Sequence, residues 1–218
     1  MKVFQRAKGL MVTPRRTWDD IAAEGDSTHF LVTHYVPLMA LGSLAIAMLW
    51  HWLLGASQPE QAEIFMRQPD GRLVSVGTRT TTSIFAWRSA IIIVPLYGVL
   101  TVLGVFAMRS LILMNAPRFA AVPDGVAATK LAAYAPTAAW VGFALLFTPL
   151  VGTVLAFALW TYSIFLFYVG APRLLPPHAE EHQRFGRSIA IRAILVCLGL
   201  LLVLILALFA SSGGSPPY

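Results

Sequence analysis

The feature that most constrains this chain is a run of 42 residues, 131–172, that contains no Asp, Glu, Lys, Arg or His. As one helix it would measure roughly 63 Å, about twice the thickness of the hydrocarbon core of a bilayer. The run therefore predicts two membrane crossings joined by a turn at Pro149–Gly152, where Pro and Gly interrupt the helix pattern. Lys130 and Arg173 flank the run, and a hairpin places both on the same side of the membrane.

Composition extends this prediction to the whole chain. Hydrophobic residues make up 57% of it and charged residues only 12%, about half the usual share in a soluble domain. Because the charges lie in blocks between apolar runs, the sequence predicts an all-α integral membrane protein with five transmembrane helices. An N-terminal segment (1–29) precedes this membrane domain (30–210), and a flexible tail (211–218) follows it. The five predicted spans cover residues 30–54, 84–114, 130–148, 152–171 and 189–210.

The N-terminal segment carries the signals of a short helix. Thr13 and Pro14 are suited to the N-cap and first helical positions. Trp18, Ile21 and Ala22 then recur at helical spacing on one face. This pattern predicts an amphipathic helix that lies in the membrane interface. The alternative is a solvated basic tail with one buried Trp.

The longest polar loop, residues 55–83, contains a second local signal. Pro69-Asp70-Gly71 stands between two short segments of strand-like composition, which predicts a β-hairpin. About 29 residues cannot bury a core of their own. We therefore expect a small decoration on the membrane domain.

The distribution of positive charge predicts the orientation. With five spans, twelve of the sixteen Lys and Arg residues fall on one side and four on the other. Cytoplasmic loops carry the excess of basic residues, so the N-terminus is predicted in the cytoplasm and the C-terminus in the periplasm. The net charge of +6 then indicates a basic face toward anionic lipids, and it does not require a nucleic acid partner.

Two similar segments occur at the cytoplasmic ends of spans two and four. Residues 115–119 read Asn-Ala-Pro-Arg-Phe and residues 170–174 read Gly-Ala-Pro-Arg-Leu. Each is expected to stop a helix with Pro and to place Arg at headgroup level. They are either a duplicated functional feature or coincident helix-stop chemistry. With the N-terminal helix they give the predicted lipid-binding or partner-binding residues, which are Arg15, Arg16, Trp18, Pro117, Arg118, Pro172 and Arg173.

Polar side chains also occur inside the predicted membrane hairpin. They either join helices or line a polar groove for a lipid headgroup or a partner helix. The groove is the basis of an alternative function, a small transporter, channel or lipid-moving protein. All ten acidic residues lie outside the predicted spans, which argues against proton-coupled transport. The residues of this predicted intramembrane polar cluster are Tyr134, Trp160, Thr161, Tyr162 and Ser163.

One motif has the spacing of a metal site. His178, Glu181 and His182 fit the H-x-x-E-H pattern of inverted zinc proteases. Two prolines directly before it and acidic residues in the first turn are typical of an ordinary helix start, and no third ligand is evident. The motif therefore predicts a solvated helix start, with no metal, no cofactor and no catalytic residue. The alternative, an intramembrane or interfacial enzyme, would rest only on His178 and His182. The single cysteine, Cys197, excludes an intramolecular disulfide.

Three segments, in order, resemble the Yip1 domain family of five-span membrane proteins. Residues 8–24 match at Pro14, Trp18, Ile21 and Glu24. Residues 113–119 match an Asn-x-x-Ala-Pro-like segment, although Ala120-Ala121 stands where two glycines are usual. Residues 131–140 and 160–175 complete the resemblance, with matches at Tyr134, Pro136, Trp140, Tyr162, Tyr168, Gly170 and Pro172.

The resemblance implies a non-enzymatic membrane protein. Eukaryotic members of the family are associated with Rab-type GTPases and vesicle membranes, whereas bacterial members are small inner-membrane proteins. This chain looks more like the bacterial branch, which implies a multi-pass inner-membrane protein. The resemblance does not imply a GTPase partner for this chain. We expect it to organise membrane lipids, other membrane proteins or further copies of itself through its basic cytoplasmic face.

Overall fold

The computed structural model describes residues 2–25, 28–55, 60–67, 72–81, 84–145 and 151–212. Over these ranges the chain is mostly helical, with one pair of strands. The helices are α1 (Lys2–Val12), α2 (Pro14–Ala23), α3 (Thr28–Phe30), α4 (Val36–Gly55), α5 (Ile84–Asn115), α6 (Gly125–Tyr134), α7 (Thr137–Leu145), α8 (Val151–Leu174) and α9 (His182–Ser212). The strands are β1 (Glu60–Arg67) and β2 (Leu73–Thr81).

Four helical stretches among the described residues are long and apolar enough to cross a membrane. They overlap the first, second, fourth and fifth predicted spans, so their length and composition agree with the predicted membrane protein. The stretches are Thr28–Leu49, Pro95–Phe119, Val151–Leu174 and Ala179–Val203.

The predicted third span, 130–148, differs from the prediction. It consists of the end of α6 and all of α7, separated by a turn at residues 135–136. Pro136 has no backbone N–H to donate to the Ala132 carbonyl, which interrupts the helical hydrogen bonds, while Ala135 before it keeps helical dihedral angles. The Thr137 hydroxyl donates to the Tyr134 carbonyl across the turn, at 2.5 Å. Residues 146–150, which include the predicted turn at Pro149, lie outside the described part.

The strands form the hairpin that the loop 55–83 predicts. β1 and β2 pair antiparallel, from Glu60 opposite Thr81 to Arg67 opposite Leu73, with an irregularity at Ile64 and Phe65. The predicted turn residues 69–71 lie outside the described residues. The strand pair makes the fold helical with a small β-hairpin, where the prediction was all-α.

The N-terminal helices α1 and α2 pack on the helical bundle. Trp18 and Ile21 are fully buried, while Ala22, which was expected on the same face, is exposed. A Cβ atom on Gly170 of α8 would lie 2.6 Å from the Trp18 indole, so the missing side chain makes room for the ring. The apolar face of α2 is therefore buried against other helices of the protein.

Contacts bring α2, the segment after α5 and the start of α9 to one end of the bundle. The Asp19 carboxylate of α2 lies 3.2 Å from Arg173 near the end of α8. The Asn115 amide of α5 donates to the Ser188 hydroxyl of α9 at 3.0 Å. We call this the basic end, comprising α1, α2, residues 116–124 and residues 173–187.

Helices α8 and α9 approach closely at this end because of a proline and a glycine. Pro172 lies inside α8, so the carbonyl of Tyr168 receives no helical hydrogen bond from it. A Cβ atom on Gly186 of α9 would lie 2.6 Å from that carbonyl oxygen. The backbone of α9 therefore covers the acceptor that the proline leaves open.

Candidate functional site

The basic end contains a pocket built by three helices. Arg15 comes from α2, Arg173 from α8 and His182 from the first turn of α9. The cavity has a volume of about 150 Å³. Tyr168, Val169, Pro172 and Gln183 complete its lining. The pocket therefore gathers three of the residues that the sequence predicts for lipid or partner binding: Arg15, Pro172 and Arg173.

Arg173 is the part of the pocket that is held most firmly. Its Nη1 donates to the Val169 carbonyl at 2.9 Å, one turn back along α8. Its Nε lies 3.2 Å from the Asp19 carboxylate, yet the Nε–H forms no hydrogen bond within the described residues. The guanidinium has five N–H donors. It is thus fixed in position and still keeps donors for a further acceptor.

The remaining residues of the predicted lipid-binding set lie elsewhere. Arg16, Pro117 and Arg118 are exposed and do not line the pocket. Trp18 is in the core, where no lipid headgroup reaches it. The structure therefore divides the predicted set into a pocket, a core residue and three surface residues.

The two Ala-Pro-Arg segments also differ from the prediction that each one stops a helix. Residues 116–119 form a short 3₁₀ turn after α5, as expected of a helix stop. Pro172 and Arg173 instead belong to the last turn of α8, which continues to Leu174. The second segment fails as a helix stop because only one N–H is lost and α9 packs over the freed carbonyl.

The predicted intramembrane polar cluster spreads over several neighbours. The Tyr162 hydroxyl donates to the carbonyls of Leu10 and Met11 near the C-terminal end of α1, at 3.1 and 3.3 Å. The Ser163 hydroxyl accepts from the Ala139 N–H, at 2.7 Å, in the first turn of α7. Both contacts satisfy backbone groups that a helix end leaves open.

The other members of this cluster form different contacts. The exposed Thr161 hydroxyl donates to the Phe157 carbonyl on its own helix, at 3.0 Å. The half-buried Trp160 ring packs against Phe157 at 5.9 Å. Tyr134 lies on α6, fully buried, and accepts a hydrogen bond from Arg6. None of these side chains lines the pocket at the basic end.

The structure reveals a buried polar network that sequence reasoning missed. Lys130 was expected at a membrane boundary, but it is 4% exposed. Its ammonium donates to the Ile21 carbonyl at 2.8 Å and to the Glu24 carbonyl. Arg6 of α1 pairs with the Glu24 carboxylate as well as with Tyr134.

This network fixes the end of α2. Carbonyls at a helix C-terminus have no partners within the helix and carry partial negative charge, so a buried ammonium is favourable there. Lys130 itself could have been singled out from the sequence, as a lone charge beside a long uncharged run. Its hydrogen-bond partners could not have been identified, because they lie more than a hundred residues away along the chain.

The H-x-x-E-H segment does not form one helical face. Residues 179–181 are a 3₁₀ turn, and His182 begins α9. Glu181 pairs with Arg184 at 3.2 Å. Within the ranges that the structure describes, no three His, Cys, Asp or Glu side chains are grouped to hold a metal ion.

Comparisons with protein-family models, with curated proteins and with solved structures find no match to this chain.

Proposed function

We propose that this chain is a non-enzymatic, Yip1-like membrane protein that binds anionic lipids through the basic end and so organises lipids or protein partners around it. The observation that carries the proposal is the convergence of Arg15, Arg173 and His182, from three separate helices, on one pocket. Two guanidinium groups that line one pocket attract an anionic group, since each offers several donors in a planar fork.

The proposed topology has five spans, with the N-terminus and the basic end in the cytoplasm. The excess of Lys and Arg in the segments of the basic end supports this orientation. The four long apolar helices supply four crossings. The fifth proposed crossing is the predicted segment 130–148, of which the structure describes the end of α6 and all of α7. Helix α2 is proposed to lie at the membrane surface with its charged side outward. An inner-membrane location follows the resemblance to the bacterial branch.

Site-directed labelling tests the topology. In a Cys197→Ser background, Ser215→Cys should react with an impermeant maleimide in intact cells. Lys8→Cys should react only after the membrane is opened. Labelling of both positions from the same side would refute an odd number of spans.

Native mass spectrometry in mild detergent tests lipid binding. We expect phosphatidylglycerol to be retained about tenfold better than phosphatidylcholine, with the difference shrinking in high salt because the attraction is electrostatic. Equal retention of the two lipids at low salt would refute the proposal. Self-association or a copurifying membrane protein would be seen in the same spectra.

The alternative, a transporter, channel or lipid-moving protein, requires a polar groove along α7 and α8. The Tyr162 and Ser163 hydroxyls bond to backbone groups of neighbouring helices, which favours a packing role for both. A purified sample that moves solute or lipid in liposomes, and loses this flux in Tyr162→Phe with Ser163→Ala, would reverse this preference.

A further inference from the structure

We propose that the pocket at the basic end is a discrete site for a single phosphate monoester, and that the Asp19 carboxylate is a built-in competitor for it. This inference rests on the proposed function and narrows it from a basic surface to one site. On a diffuse basic surface, every exposed Lys or Arg would contribute about equally to lipid binding. At a discrete site, binding depends on the particular side chains that line the pocket.

The donor set fits a phosphate with two free charges. Arg15 and Arg173 bring guanidinium forks, which match the oxygens of phosphate, and His182 brings an imidazole. Arg173 is already held by the Val169 carbonyl, so less side-chain freedom is lost when it binds a ligand. A phosphate diester has one charge fewer and should bind more weakly.

The size of the pocket suits a small anionic group. A volume of about 150 Å³ is several times the minimum that a single water molecule needs. That accommodates a phosphate group and the first atoms of its ester.

The walls of the pocket connect it to an apolar surface. Tyr168 lines the cavity and is partly exposed, and Phe165, almost one turn away along α8, is 40% exposed. An acyl chain can follow this surface while the phosphate occupies the pocket. The same chemistry also fits a soluble phosphate monoester, so the experiment includes both.

Asp19 already places a negative charge beside Arg173. Its carboxylate lies 3.2 Å from Nε of Arg173, and its side chain is 66% exposed. The pair lacks hydrogen-bond geometry at Nε, so it is a weak contact of the kind that exposed ion pairs usually make. A phosphate that binds Arg173 must displace or share this carboxylate, and loss of Asp19 should therefore strengthen binding.

Matched variants test the site by native mass spectrometry with titrated phosphatidate. Arg15→Gln and Arg173→Gln should each weaken phosphatidate binding about tenfold. Arg16→Gln and Arg118→Gln remove the same charge from exposed positions outside the pocket and should change it less than twofold. Arg15 is exposed, so its variant tests the site even if Arg173→Gln folds poorly.

Asp19 has an adjacent control. Asp19→Asn should raise phosphatidate affinity several-fold, because it removes the carboxylate that pairs with Arg173. Asp20→Asn makes the same charge change at the adjacent exposed residue, which is not the partner in that ion pair. Equal gains in the two variants would overturn the competitor role.

The ligands themselves separate the remaining outcomes. Phosphatidate should bind at least several-fold better than phosphatidylglycerol, and equal binding would overturn the monoester site. Competition by millimolar glycerol 3-phosphate would assign the site to a soluble monoester, and its absence would assign it to the lipid. If all four Arg variants weaken binding alike, the pocket is overturned while the broader basic surface stands. If wild-type protein binds no anionic lipid, the proposed function fails as well.

Discussion

Two Ala-Pro-Arg segments with the same three residues have different structures in this protein. Residues 116–118 leave α5 and form a 3₁₀ turn, whereas residues 171–173 remain helical in the last turn of α8. Arg118 is exposed, while Arg173 is half-buried beside Asp19. The tripeptide alone therefore does not determine whether the helix ends.

The surroundings explain the difference. After the first segment, the Ala121 N–H donates to the Ala116 carbonyl and the Ala120 N–H to the Pro117 carbonyl, at 3.1 and 3.2 Å, with Ala120 at φ 53°. These two bonds form a Schellman cap that ends the helix. The second segment instead continues as helix to Leu174, because α9 packs over the Tyr168 carbonyl that Pro172 leaves without a helical donor.

The largest effect is expected from closing the space at Gly170. In Gly170→Ala the new Cβ would lie 2.6 Å from the Trp18 ring and 2.9 Å from Leu131. Such overpacking costs about 1–3 kcal/mol, and α2 should loosen. Thermal unfolding in mild detergent and trypsin cleavage after Arg15 and Arg16 measure this. Gly199→Ala, at a position with nothing within 4 Å, is the control, and equal behaviour of the two variants would contradict the packing account.

The next effect concerns the lysine that holds the end of α2. Lys130→Met removes the donor to the Ile21 and Glu24 carbonyls. Losing a hydrogen bond from a buried charged group costs about 1.5–3 kcal/mol, so the melting temperature should fall and trypsin should cleave α2 faster. Lys8→Met, at an exposed position, should have little effect. An unchanged protease pattern in Lys130→Met would show that α2 is held by other contacts.

A smaller, stabilising effect is expected at the cap of the first segment. Left-handed backbone costs a non-glycine residue about 1–2 kcal/mol, of which the greater flexibility of unfolded glycine offsets about half. Ala120→Gly should therefore raise the free energy of unfolding by up to about 1 kcal/mol. Ala121→Gly, at a residue with no positive φ, should lower it. A loss of stability in Ala120→Gly would contradict the cap geometry.

The smallest expected effect on stability distinguishes Arg173 from Arg118. Arg173→Gln removes the ion pair with Asp19 and should lower stability by roughly 0.2–1 kcal/mol, as partly exposed pairs do. Arg118→Gln should leave stability unchanged. A double-mutant cycle with Asp19→Asn measures the coupling directly, and additive effects would show that the pair contributes nothing.

Much of the membrane architecture could be predicted from the sequence. Runs without charge determine where helices can enter a bilayer, so the four candidate spans overlap the predicted ones and differ from them by at most eleven residues at either end. The hairpin strands were also predictable from local turn chemistry. The break at Pro136 was visible as a proline but was hidden by the uniform hydrophobicity around it.

The candidate site was predictable only in part. Arg15 and Arg173 were singled out because each lies near an expected membrane surface, yet nothing in the sequence pairs them. The roles of Lys130 and Tyr162, which bond to carbonyls of α2 and α1, depend on contacts between residues far apart in the chain.

By itself, then, the sequence determined which segments avoid water, because hydrophobicity and charge are properties of the residues. Only the tertiary structure decided that α2 turns its Trp18 toward the bundle, that Lys130 is buried, and that one Ala-Pro-Arg segment ends a helix while the other continues it. These outcomes depend on which backbone groups and cavities a neighbouring helix supplies. Gly170 shows the reason: its missing side chain matters only because Trp18 occupies the space.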